Sequence, residues 1–308
     1  MTEEKKSPNL INTDFSRQRE PSQLEYIVNP YGVSTRLSKE ARLDQQEELI
    51  LFGLFDSLRY RLTIANFLIP AKGLTPKEKV GIVFFVGVTN IADDLLDSNP
   101  ELSQMNNSEQ LREKLLKNVV NIGNSIGITL DELLQLTLNK FSPQKQQHIN
   151  EFLTEALTTQ AQLGSSLPGN YTFGQALAYR RNTSNRYSEV GAELANISDG
   201  QKLQQAIDFG NLMQMIDDVA DLITDYNEGA MNPVIGLAND ENELQILRDV
   251  SPKDIPSNFI LRMRFVRSRL KMMSETRRRY RELFSKELDK IPPGKQRMIA
   301  KMLGRLLL

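Results

Sequence analysis

From about Lys39 onward, apolar residues recur every three or four positions almost without interruption, the spacing of amphipathic helices. No stretch shows the strict apolar/polar alternation of a half-buried strand. Several helix starts are written out in the sequence. Thr75-Pro76-Lys77-Glu78, Thr129-Leu130-Asp131-Glu132 and Thr172-Phe173-Gly174-Gln175 have the Thr-x-x-Glu/Gln form of a capping box, and Ser142-Pro143 opens another helix. Breaks are expected near Ala71 to Gly73, Asn99 to Asn107, Gly127, Leu167 to Asn170, Gly229 to Asn239 and Pro292 to Gly294, which divides the chain into roughly ten helices. The pattern predicts one all-α bundle over residues 39–308, preceded by a mostly disordered polar arm over residues 1–38.

Two helices break the usual distribution of charge. In the first, Val80 to Ala92 is so apolar that it must be buried all round, yet it runs directly into Asp93, Asp94 and Asp97, a DDxxD pattern. Carboxylates at a helix C-terminus are opposed by the helix dipole, so these are poorly placed for stability. In the second, Gly210 to Gly229, Asp217, Asp221 and Asp225 recur at i, i+4 and i+8 with Asp218 on the flank, and apolar residues surround them. Clustered aspartates of this kind repel one another and resist desolvation unless positive charge lies among them. Either cluster alone would be read as a solvated face. Two inside apolar runs point to bound divalent cations.

Composition narrows the chemistry. With no cysteine and one histidine, the chain has no disulfide, thiolate nucleophile or Cys/His zinc site, and a Ser-His-Asp triad would have to use His148, which lies in a polar helical stretch. A formal net charge of -1 argues against a general attraction to nucleic acid. No apolar run reaches the ~20 residues of a membrane span, and the first residues have no signal-peptide core. A cytoplasmic protein is therefore expected. Charge is uneven, however: Pro256 to Leu308 holds 15 Lys/Arg against 4 Asp/Glu. The final segment sets Met298, Met302 and Leu306 beside Ile299 and Leu303, opposite Lys301 and Arg305. It suits a terminal helix docked on the bundle or a peripheral contact with an anionic membrane.

Two aspartate clusters facing each other across a bundle would bind Mg²⁺ through a few carboxylates each and leave coordination positions for phosphate oxygens. The natural third party is a diphosphate, with its hydrocarbon in an apolar cavity between the helices. The ordered pair of motifs resembles the class I terpenoid synthase superfamily, which comprises trans-prenyl diphosphate synthases, squalene and phytoene synthases, and terpene cyclases. Gln214 with Asp217, Asp218 and Asp221 is similar to the second motif of the prenyl synthases. Asp217, Asp221 and Asp225 match the spacing of the cyclase metal triad. The resemblance implies an isoprenoid-synthase-type bundle with a central cavity, several Mg²⁺ ions and a prenyl diphosphate substrate, and is compatible with a homodimer.

It also implies roles for basic and aromatic residues. Arg180 or Arg181 would hold the diphosphate, with Arg186 nearby, and Gly191-Ala192 would permit a helix break or close approach to ligand. Arg279-Tyr280 resembles the pair that closes over the diphosphate in many cyclases. Gln214, Tyr187 and Phe85 are candidates for substrate contact. A chain-elongating synthase needs a second basic site. Arg59, Arg61 and Lys72-Gly73 are the nearest candidates, and Ser98 to Gln110 contains no Lys or Arg. This favours a terpene synthase, a lyase that ionises one allylic diphosphate. Against it stands the low aromatic content, 7% with no tryptophan, because cyclases guide cations with aromatic faces. Prenyl transfer is the alternative, and a catalytically silent isoprenoid-binding protein the third.

Overall fold

The protein is described by a computed structural model covering residues 21, 23–123, 126–164, 171–238, 240–256 and 259–308. The helices are α1 (Gln23–Val28), α2 (Pro30–Ala41), α3 (Gln45–Asp56), α4 (Leu58–Leu68), α5 (Pro76–Ser98), α6 (Pro100–Ser103), α7 (Ser108–Leu116), α8 (Leu130–Leu138), α9 (Pro143–Gly164) and α10 (Phe173–Leu194). They continue with α11 (Gly200–Ala220), α12 (Leu222–Glu228), α13 (Pro233–Leu237), α14 (Glu241–Arg248), α15 (Phe259–Met272), α16 (Ser274–Lys290) and α17 (Lys295–Leu307). All three expected capping boxes form, at Thr75/Glu78, Thr129/Glu132 and Thr172/Gln175, and Asp44/Glu47 adds a fourth.

Between α7 and α8 lies one element that the periodicity did not show. Val119–Ile122 (β1) pairs antiparallel with Ile126–Thr129 (β2), from Val119 opposite Thr129 to Ile122 opposite Ile126. The expected break at Gly127 is thus part of a strand. Alternate side chains Val120 and Ile122 are buried, but Val119 is apolar and exposed, so four residues carry no readable alternation. The polar arm also ends earlier than expected. Tyr26, Val33 and Leu37 are buried in α1 and α2 within the stretch assigned to the arm, and residues 1–20 lie outside the description. The break expected at Leu167 to Asn170 also lies outside the described residues.

The buried side chains form two clusters. One joins α2 to α5 with α8, α9 and part of α10; the other joins α11 to α17. As its composition demands, α5 is enclosed, with Val80, Ile82, Val83, Phe84, Phe85 and Val86 inaccessible to solvent. Gly87 permits this packing, because a Cβ there would come within 2.8 Å of Leu54. The aspartates at the end of α5 belong to the first cluster's helix and those of α11 to the second's. The two acidic motifs therefore meet at the seam between the halves.

Candidate active site

The acidic stripe does not lie on one straight helix. The helix turns at Asp221, whose φ and ψ are -98° and 2°, so α11 ends there and α12 begins. A side chain enters the hydrogen-bond ladder at this point, a recognised cause of a kink. Fully buried Asn232 donates from Nδ2 to the Asp218 carbonyl at 2.7 Å and to Asp225 Oδ2 at 2.7 Å. Its Oδ1 accepts from Val234 N, capping α13, and its own N–H donates to the Tyr171 hydroxyl. Asn232 thus ties the turn, through Nδ2, to the start of α13 and to Tyr171.

The six aspartates that face one another divide into three groups, each with its own arginine. At the mouth, Arg59 of α4 joins both motifs: Nη1 is 3.0 Å from Asp94, and Nη2 is 3.2 Å from Asp93 and 3.1 Å from Asp217. Beneath, Arg180 of α10 lies 3.4 Å from Asp218 and 3.7 Å from Asp225, in ion-pair contact but with Nε making no aligned hydrogen bond. On the far side, Arg262 of α15 lies 3.2 Å from Asp221. Positive charge does lie among the carboxylates, as electrostatics requires, and guanidinium groups supply it. Six carboxylates still face only three arginines. The side chain of Asp97 lies outside the described residues.

Burial governs the proton affinities. Burial pushes Asp218 up to about 7 against the pull of Arg180, and pushes Asp225 up to about 6 against Arg180 and Asn232. Asp221 is raised by burial and by its neighbours Asp217 and Asp225. For Arg59, burial alone would favour the neutral form, but Asp217, Asp93, Asp94 and Asp221 together hold it firmly charged.

A cavity of about 460 Å³ opens beneath Arg59, Asp93 and Asp217. Its walls are largely apolar, with Leu62 and Phe67 of α4, Val88 of α5, Phe152 of α9, Tyr187 of α10, and Phe209 and Ile216 of α11. Tyr187 packs against Phe67, Phe85 and Phe152, with ring centroids 5.6, 5.5 and 6.1 Å away. Leu303 of α17 closes part of the wall, and Gln296 of the same helix bonds Asn66 of α4.

The other sequence candidates separate. Arg180, Arg186, Tyr187 and Gln214 line the cavity, with Arg186 bonded to Glu155 and Gln214 to Asp218. Arg181 points to the opposite side, 2.6 Å from buried Glu287. Phe85 is not in the cavity wall; it is buried behind Tyr187, because α5 packs that face inward. Arg279 and Tyr280 do not close over the mouth. Arg279 bonds the Leu237 carbonyl, and Tyr280 is buried beneath α11 with its hydroxyl 3.0 Å from the Met215 carbonyl and 3.3 Å from Asp218. No break occurs at Gly191. The helix continues to Leu194, and the missing side chain instead admits Phe67, which would lie 2.3 Å from a Cβ. His148 is outside the cavity wall, beside Glu193. Sequence reasoning passed over Asn232, Arg262 and Tyr60, whose hydroxyl donates to Asp94. Only Asn232 left a signal, as the cap before Pro233.

The oxygen donors suit Mg²⁺, which favours hard oxygen ligands and retains water. Arg59 Nη2 marks a point between the two motifs where positive charge is already held. In this arrangement no three Asp, Glu or His side chains are gathered as a ready-made metal group among the described residues. The oxygen donors are of the kind a hard cation takes, while Arg59 occupies the point between the motifs where one would bind.

Two solved structures share the fold. A heptaprenyl diphosphate synthase from Staphylococcus aureus is 16% identical with a TM-score of 0.57, over 94% of this chain and 100% of that one. A geranylgeranyl pyrophosphate synthetase from Pyrococcus horikoshii Ot3 is 13% identical with a TM-score of 0.51, over 92% and 97%. At these identities the likeness is one of fold alone, an all-α bundle in each case. No family model matches the sequence. No curated protein matches it either.

Proposed function

We propose that this chain is a Mg²⁺-dependent enzyme that ionises an allylic prenyl diphosphate and transfers the prenyl group to an acceptor. The observation that carries the reading is the convergence of both aspartate motifs on one cationic point, Arg59 Nη2, above an apolar cavity. Asp93, Asp94, Asp217 and Asp221 would hold the metal, which when bound supplies neutralising charge to the departing diphosphate. Arg180 would donate to the diphosphate: it lines the cavity and its Nε makes no aligned bond, whereas Arg181 is committed to Glu287. The cavity wall would exclude water from the allylic cation, and Tyr187, Phe67 and Phe152 would present π faces to it.

Transfer is preferred to cyclisation for a structural reason. Asp225, 2% exposed, is bonded to Asn232 and in ion-pair contact with Arg180, so it is less available than Asp217 and Asp221 for the i, i+4, i+8 set that a cyclase triad would need. The likeness to solved prenyl diphosphate synthases supports the same choice. Cyclisation is the second reading, favoured by the absence of Lys and Arg from Ser98 to Gln110 and by the engagement of Arg59 with aspartates rather than a free anion site. Geranyl or farnesyl diphosphate supplied with Mg²⁺, with and without isopentenyl diphosphate, separates them. Transfer predicts a longer prenyl diphosphate, or joined allylic chains, as product. A cyclic or linear hydrocarbon formed from one allylic substrate alone would establish the second reading instead.

A further inference from the structure

The outer face of α17 is left uncovered in a way the active site does not explain. Its inner face docks as an ordinary helix, with Ile299, Ala300 and Leu303 buried and Gly304 set so tightly against Phe284 that a Cβ would lie 2.4 Å from the ring. On the outer face Met298, Met302 and Leu306 form a row at i, i+4 and i+8, exposed to 56%, 59% and 50%. Exposed Lys301 and Arg305 interleave with that row and make no ion pair among the described residues.

A basic cluster adjoins the end of the same helix. Arg277 donates from Nε to the Leu308 carbonyl at 2.7 Å, which places it at the C-terminal end of α17. Arg277 and Arg281 stand one turn apart on α16, and α15, which carries Arg267, packs against both α16 and α17, so the three guanidiniums gather there and oppose one another's charge. Like charges gathered beside an exposed apolar row are unfavourable unless an anionic, partly apolar surface covers both.

We propose that α17 and the Arg267/Arg277/Arg281 cluster form a docking face for an anionic lipid bilayer, with Met298, Met302 and Leu306 entering the headgroup boundary while the cations meet lipid phosphates. Charge complementarity selects this occupant. A second copy would bring two basic faces together, and duplex nucleic acid offers nothing for three exposed apolar side chains. No helix of the described residues is long and apolar enough to cross a membrane, so the contact is peripheral.

Flotation of the full chain with vesicles of phosphatidylcholine alone, and of phosphatidylcholine mixed with phosphatidylglycerol, tests this. Binding is expected only to the mixed vesicles and is released by high salt. The Lys301→Gln/Arg305→Gln double variant should weaken binding roughly thirtyfold, and Met298→Ser/Met302→Ser at least about tenfold. Circular dichroism checks that each remains folded, and salt release of the unaltered chain serves as the second measurement if one does not. Equal binding to both vesicles, or none, overturns the proposal. So do variants that bind like the unaltered chain, retention by duplex DNA but not by vesicles, or a dimer dissociated by Met302→Asp.

Discussion

Arg59 satisfies in one side chain a need that the sequence made plain: positive charge between two sets of carboxylates. Its removal should cost stability without metal and much less with it. Arg59→Ala leaves Asp93, Asp94 and Asp217 to repel one another, so its melting temperature in chelator is expected to fall by several degrees, and added Mg²⁺ should restore most of the loss. A variant whose loss is the same with and without Mg²⁺ would show that the guanidinium and a metal do not share the site. The buried pair below has a different signature. Asp218 and Asp225 have folded values of about 7 and about 6, above the ~3.9 of an unfolded aspartate. The folded state then binds more protons than the unfolded state between these limits, so metal-free stability falls as pH rises from about 4 to about 7. Thermal unfolding in chelator should show that decline, and Asp218→Asn should flatten it. Unchanged pH dependence in the variant would mean that Asp218 is not a source of the effect.

Among the elements, the kinked pair α11 and α12 decides which carboxylates reach the cavity. Sequence spacing treated Gly210 to Gly229 as one helix and so placed Asp217, Asp221 and Asp225 together. The turn is imposed by Asn232, eleven residues beyond Asp221, and a tertiary hydrogen bond of that kind leaves no trace in periodicity. Asn232→Leu would leave the Asp218 carbonyl and Asp225 carboxylate without their donor, at a cost of about 3 kcal/mol in chemical denaturation. A cost within error of zero would show that the kink is held by something else. Local signals were otherwise dependable. The capping boxes, the enclosed α5 and the Gly229 helix end, at φ 71°, all appear where the letters put them. The β1/β2 hairpin did not register, because four residues with an exposed valine give too short a pattern. Arg279 and Tyr280 lie away from the mouth in this arrangement, because the orientation of α16 is set by packing of Tyr280 under α11, which no periodicity records.

For the molecule as a whole, the seam between the two hydrophobic clusters brings the motifs together, and neither half holds both of them. The all-α architecture was legible because nearly every buried position belongs to a helix with its own apolar face. The pairing of each aspartate with a particular arginine was not, since Arg59, Arg180 and Arg262 come from three helices distant in sequence. The assignment predicts that diphosphate release from farnesyl diphosphate requires Mg²⁺. It also predicts that Asp93→Asn and Asp217→Asn each slow release by at least ~10³-fold with helicity retained, because each removes charge needed at the leaving group. A direct assay of released diphosphate by the unaltered chain and these two variants is the most immediate test. Metal-dependent release lost in both variants is the expected result; release without metal, full activity in both variants, or no release from any allylic diphosphate would contradict it.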